Sequence, residues 1–193
     1  MQPGPVGTLS VLPGRNASVA VFPPVVGQVQ GWQPILGGGL NSIDGWVATA
    51  PSSLTSFAPF EGDRAGANRG TDSGFPPFTP WGILHRDFAP ALDLSPFTKA
   101  RYRRKYVDMG DGNSVQLRLA FYSSIPSGIS SQTSIYTPAQ GGAWGLSSEF
   151  NLTGGFANFA SIVRVEFAIE NITGGGFAPP SEIHVDLLEI FFP

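Results

Sequence analysis

Val163-Arg-Val-Glu-Phe-Ala-Ile-Glu170 is the stretch whose reading decides the fold: Val163, Val165, Phe167 and Ile169 alternate with Arg164, Glu166, Ala168 and Glu170. Successive side chains of a strand point to opposite faces, so this period of two marks a strand with one face in a core. A second such run spans Ile183 to Phe192, and Val115, Leu117, Leu119 and Phe121 give a third. Seven to nine short strands of this kind, separated by Gly, Pro and Ser clusters, predict an all-β chain: a two-sheet antiparallel β-sandwich, or jelly roll. Its expected core is Leu117, Leu119, Phe121, Val163, Val165, Phe167, Val185, Leu188 and Ile190. The opposite, outward positions are then Gln116, Arg118, Tyr122, Arg164, Glu166, His184 and Asp186.

The chain of 193 residues suits one such body plus an appendage. Residues 1–40 combine many Pro and Gly with short apolar pieces such as Val19-Ala-Val-Phe22. They predict an extended N-terminal arm, with edge strands of the same sandwich as the alternative, while residues 41–193 form the jelly-roll domain. No cysteine is present, which excludes thiolate catalysis and Cys-based zinc sites. A formal charge of −3 and a charged fraction of 13%, against roughly 25% in an ordinary soluble domain, argue against a nucleic-acid binder. No basic stretch precedes an apolar run near Met1, and Pro23-Pro24 breaks Val19 to Val26. Neither a signal peptide nor a membrane span is expected.

Two segments carry competing readings. In Ser95 to Val107, Ser95-Pro96 and the basic residues suit a helix start, yet Tyr102 and Tyr106 alternate with Arg101, Arg103 and Lys105. Asp111-Gly112 then supplies a turn before Val115, so a hairpin is the expectation, its basic side chains lining a strand face. Residues 41–80 read as a crown of loops. Within it Glu61, Asp63 and Asp72 are calcium candidates, because hard oxygen ligands converge around tight turns. Their spacing matches no EF-hand, and solvated loop charge is the alternative; no other cofactor is expected.

Asp93-Leu-Ser-Pro-Phe97 leading into a strand, Trp144 ahead of Phe150, and the closing Ile183-His-Val-Asp186-Leu-Leu-Glu-Ile190 together resemble the galactose-binding-like jelly roll of carbohydrate-binding modules. The resemblance covers roughly residues 41–192 and implies the fold. It also implies glycan binding through exposed aromatic rings, and here the chain departs from the pattern. Only Tyr122 is aromatic among the outward strand positions, and Trp32, Trp46, Trp81 and Trp144 fall in loops or at strand edges.

Catalysis needs a nucleophile or base with a positioned partner. The two histidines, His85 and His184, show no metal-binding spacing, and no nucleophile elbow or phosphate loop is present. Glu166 with Asp186 is the one strand-borne carboxylate pair of the glycosidase kind, and His184 is placed to pair with Glu166 across strands. A structural role for all three is the expectation, and the chain reads as a non-enzyme. The expected function is a structural subunit of a large assembly, a phage virion surface component such as a capsid-decoration or tail protein, assembled in the host cytoplasm as a homo-oligomer. The alternative is a carbohydrate-binding module or host-glycan adhesion domain. Ligand or interface candidates are Trp46, Trp81, Tyr122, Arg118, His184 and Asp186.

Overall fold

The computed structural model describes residues 30–35, 45–50, 52–56, 59–60, 62, 64–70, 82–108, 114–136, 142–173 and 181–193. In chain order its strands are β1 (Gly31–Pro34), β2 (Val47–Thr49), β3 (Ser53–Thr55), β4 (Ala65–Gly70), β5 (Ile83–Leu92), β6 (Lys99–Asp108), β7 (Ser114–Tyr122), β8 (Ile129–Tyr136), β9 (Trp144–Leu146), β10 (Phe150–Asn151), β11 (Ile162–Thr173) and β12 (Ser181–Phe192). They form two antiparallel sheets. One runs β10-β6-β12-β4-β3, with β9 also beside β6 and β1 also beside β12; the other runs β2-β5-β11-β7-β8. The short elements are more numerous than the seven to nine strands expected, because pairs such as β9 and β10 hold only three and two residues and leave no periodic trace.

The all-β sandwich is the architecture expected. Leu117, Leu119, Phe121, Val165, Phe167, Val185, Leu188 and Ile190 are all buried between the sheets. Phe167 sits at the centre, its ring 5.0 Å from Tyr102 of β6 and 5.9 Å from Trp46. Each buried side chain of this size contributes about 1.5–3 kcal/mol relative to exposure.

Val163 is the exception within the expected core. Pairing between β11 and β5 passes from Ile162↔Leu92 to Arg164↔Asp87, so four residues of β5 face one of β11. This bulge shifts the phase, and Ile162, fully buried, takes the core position. A second bulge interrupts β12. Asp186 faces Arg103 and Glu189 faces Arg101, so Leu187 and Leu188 together oppose Tyr102. Leu187 adopts φ 41° there, a left-handed conformation costing about 1–2 kcal/mol for a non-glycine residue. The shift lets His184 and Asp186 share the outer face with Glu189 while Leu188 and Ile190 return to the core.

Ser95-Pro96 does not start a helix. Asp93 Oδ1 accepts hydrogen bonds from the Ser95 N–H at 2.9 Å and the Ser95 Oγ–H at 2.7 Å, closing a turn between buried Leu94 and Phe97. Thr98 N–H then donates to Phe191 O at 3.0 Å and commits the chain to β6. The expected hairpin to β7 does not form. β6 pairs with β12, β9 and β10, whereas β7 pairs with β11 and β8. The connection therefore crosses between the sheets; an Asp-Gly turn reports a change of direction and not which strand the chain meets next. Its residues 111–112 lie outside the described ones.

Gly31–Pro34 runs along the C-terminal half of β12, from Gly31↔Phe192 to Pro34↔Glu189, and Ile35 behind it is buried. The remainder of the expected arm, residues 1–29 and 36–40, lies outside the described residues. No helix among the described residues is long and apolar enough to cross a membrane.

Candidate functional site: the outer face of the five-stranded sheet

Register across this sheet places its outward side chains in rows. Val47, His85, Glu166, Ala120 and Ser131 form the middle row; Asp87, Arg164, Tyr122 and Ile129 lie on one side, and Thr49, Ile83, Ala168, Arg118 and Thr133 on the other. Small Ala120 and Ala168 beside Glu166 let the long side chains of the adjacent rows lie down over the sheet. Arg118 Nη2 donates to Glu166 Oε1 at 2.8 Å, and the Tyr122 hydroxyl donates to the same oxygen at 3.1 Å. Arg164 grips Asp87 through both carboxylate oxygens, Nε to Oδ1 at 2.6 Å and Nη2 to Oδ2 at 2.9 Å, and its Nη1 lies 3.9 Å from Glu166 Oε2. Such two-pronged guanidinium–carboxylate bonds fix orientation as well as distance.

The groups shift one another's proton affinities. The Arg164 hydrogen bond holds Asp87 below its ordinary 3.8, and Asp87 in turn raises Arg164. Burial, aided by Arg164, pushes His85 below 6.5, and burial followed by the Glu166 charge pushes Tyr122 above 10.0. At neutral pH Tyr122 is thus a protonated donor and His85 is neutral. Two guanidinium groups face two carboxylates, so the face carries many oriented hydrogen-bonding groups with little net charge.

Arg118 and Tyr122, both named from sequence, meet here around Glu166. The other candidates go elsewhere. Trp46 is 6% exposed and packs on Phe167 in the core, which corrects its placement as a loop ring open to a ligand or partner. His184 and Asp186 lie on the outer face of the seven-stranded sheet, since β12 is in that sheet and β11 is in this one. They are also covered, at 2% and 0% exposure. Asp186 Oδ2 accepts the Phe60 N–H at 2.8 Å and Oδ1 accepts the Leu187 N–H at 2.8 Å. The Phe60 ring stands 6.0 Å from Trp144, and Arg103 lies over it at 4.7 Å. His184 hydrogen-bonds Glu182 rather than Glu166. Glu166 and Asp186 therefore stand on opposite outer faces, and the carboxylate pair does not converge. Trp81 and the calcium candidates Glu61, Asp63 and Asp72 lie outside the described residues, among which no cluster of metal-ligating side chains occurs.

Sequence reading did not nominate Asp87, His85 or Arg164 as site residues. Ile83-Leu-His-Arg-Asp87 runs two apolar and then three polar residues without alternation, and Pro90 and the bulge four residues wide further obscure β5 as a strand.

No family model and no curated protein matches the sequence. Solved structures do match. The chain is similar to a family 11 carbohydrate-binding module from Clostridium thermocellum, solved in complex with a β-1,3-1,4-mixed-linked tetrasaccharide, at TM-score 0.50 and 15% identity, over 85% of this chain and 97% of that one. It is also similar to part of the agarase AgWH50C, at TM-score 0.51 and 9% identity, over 85% of this chain and 25% of the agarase. A family 30 carbohydrate-binding module matches at TM-score 0.42 and 13% identity, over 83% and 84% of the two chains. The fold is that of the carbohydrate-binding β-sandwich.

Proposed function

We propose that this protein is a non-catalytic glycan-binding domain whose binding surface is the outer face of the five-stranded sheet. The observation that supports this reading is the cluster of Glu166, Arg118 and Tyr122 beside the Arg164–Asp87 pair. Its donors and acceptors are locked in place by one another before any ligand arrives, and preorganised groups cost little ordering on binding. Charge balance suits the hydroxyls of a neutral sugar better than a sulfate or carboxylate, which would need an uncompensated cation. With Tyr122 only 9% exposed, binding relies on planar polar groups more than on ring stacking.

The likeness to carbohydrate-binding modules supports the fold on which this rests and favours the glycan reading over the virion subunit expected from composition. The β-1,3-1,4-mixed-linked tetrasaccharide bound to the family 11 module and agar oligosaccharides are the first ligands to try. A glycan array followed by calorimetry on the best hit tests the reading, with Glu166→Gln as the paired variant. Binding that falls about tenfold or more, a loss of about 1.4 kcal/mol, supports it; a wild-type chain that binds no glycan, or a variant that binds equally well, overturns it.

A further inference from the structure

Of the large apolar side chains exposed among the described residues, Phe156 stands furthest out, at 89%; none of the others passes 51%. It sits at the tip of the loop from β10 to β11, and both ends of that loop are fastened to the core. Leu152 and Phe159 are buried; the Leu152 N–H donates to Thr98 O at 2.9 Å, and the Leu94 N–H donates to Phe159 O at 2.7 Å. The tip is pinned as well. The Ala157 N–H donates to Ser130 Oγ at 3.0 Å, and Ser130 Oγ donates to Gly154 O at 3.4 Å. Gly155, at φ 82°, passes so close that a Cβ there would strike Ser130 Oγ. The chain on both sides of Phe156 is thus tied to one serine, and a ring presented from such a turn loses little further freedom on meeting a ligand.

Ser130 also fixes where this ring stands relative to the Glu166 cluster. Its neighbour Ile129 pairs with Tyr122, and Ile129, Tyr122, Arg164 and Asp87 make up one outward row of the five-stranded sheet. The turn that joins Tyr122 to Ile129 is closed by the Ser123 N–H, which donates to Gly128 O at 2.8 Å, and it holds out Ile125, 51% exposed. The polar row therefore gives way to apolar side chains where it reaches β8. With neighbouring strands about 4.8 Å apart, Phe156, at the β8 edge, stands roughly 10 Å or more from Glu166 on β11. Tyr122, nearly covered, offers no ring face nearer the cluster.

We propose that Phe156 is a stacking subsite at the end of this row, so that the site takes a neutral oligosaccharide of several sugar rings lying across the strands. The inference rests on the glycan reading of the five-stranded face. A pyranose carries hydroxyls around its rim and C–H groups across its faces. The hydroxyls suit the oriented donors and acceptors of the row, and the slightly positive C–H groups suit the negative face of an aromatic ring. One chain crossing from β11 to the β8 edge meets both in turn, whereas a disaccharide held at Glu166 falls short of the ring. A protein partner is served less well: an aromatic side chain buries about 150–250 Å², against roughly 800 Å² on each partner of a stable interface.

Calorimetry on the full chain tests the proposal with four probes: the β-1,3-1,4-mixed-linked tetrasaccharide, an agar tetrasaccharide, and a disaccharide cut from each. Phe156→Ala, at an exposed position, should keep the wild-type melting temperature and lose about tenfold in affinity for the tetrasaccharide that binds, with the disaccharide little changed. Phe156→Tyr should restore the affinity and Phe156→Leu should not, since a ring face and not apolar bulk is required. Glu166→Gln should weaken both lengths. Wild-type tetrasaccharide affinity in Phe156→Ala or Phe156→Leu, or an equal loss for both lengths, overturns the subsite and leaves the face reading standing. A loss in Phe156→Ala with none in Glu166→Gln keeps the ring as a glycan contact and removes the face reading. A wild-type chain that binds none of the probes overturns both, and a wild-type dimer that Phe156→Ala dissociates assigns the ring to a second copy and overturns the subsite.

Discussion

The two outer faces of the sandwich begin from the same sequence pattern, and the central carboxylate of each ends with different partners. On β11, Arg164 and Glu166 alternate with core residues; on β12, His184 and Asp186 do the same. On the five-stranded sheet the polar side chains bond one another across strands, Arg118 and Tyr122 to Glu166 and Arg164 to Asp87. On the seven-stranded sheet the carboxylate of Asp186 bonds backbone, the N–H groups of Phe60 and Leu187. It acts as a latch for the chain that covers it. Alternation thus marks where a face is polar, and the covering segment decides whether that polarity is a surface or a fastening.

Phe167→Ala should break both faces at once, because Phe167 touches β6 through Tyr102 and packs on Trp46 ahead of β2. A loss of about 3–5 kcal/mol is expected by denaturant unfolding. A loss below about 1 kcal/mol would place the ring outside the core. Asp186→Ala should break one face only. Removing the acceptor of two backbone N–H groups should cost about 2–3 kcal/mol and release Phe60 from Trp144, with glycan affinity of the surviving fold unchanged. Glu166→Gln sharpens the contrast from the other side: Glu166 is itself 4% exposed and bonded to Arg118, so melting falls here too, but glycan affinity of the surviving fold falls with it; affinity kept in Glu166→Gln and lost in Asp186→Ala would interchange the roles of the faces.

Much of this contrast was out of reach of the sequence, for definite reasons. Period-two alternation identified β7, β11 and β12 and nearly all their core residues, and it placed Arg118, Tyr122 and Glu166 on outward positions. The Asp93 to Phe97 turn was legible because its hydrogen bonds are local. Sheet membership was not, since pairing of β6 with β12 rather than β7 is fixed by contacts far apart in the chain. The same gap allowed Glu166 and Asp186 to be read as a pair. Trp46 reads as a loop ring in the sequence because the residues that bury it, such as Phe167, lie in remote strands. The alternation predicts Val163 inside because a bulge in β5 leaves no mark in β11 itself.

The smallest expected effect is on pH dependence. Asp87 is held below 3.8 by Arg164, so it contributes stability above that value that is lost as pH falls through its folded value. His85, pushed below 6.5 by burial, favours its neutral form in the fold, so protonation of the unfolded chain below 6.5 also erodes stability. Both act in the same direction. Melting temperature should be flat near neutrality and decline on acidification, shallowly below 6.5 and again below 3.8. Arg164→Ala should flatten the more acidic limb, because Asp87 then titrates near its ordinary value; an unchanged limb would assign it to other carboxylates.

The central claim, that the five-stranded face binds while the polar centre of the other face is fastened under Phe60, is tested most directly by mapping backbone amide chemical shifts while the array's best soluble oligosaccharide is titrated in. The account predicts shifts concentrated at Asp87, Arg118, Tyr122, Arg164 and Glu166, with Arg103, His184 and Asp186 still. Shifts concentrated around Arg103, His184 and Asp186 instead, with the five-stranded face still, would contradict it.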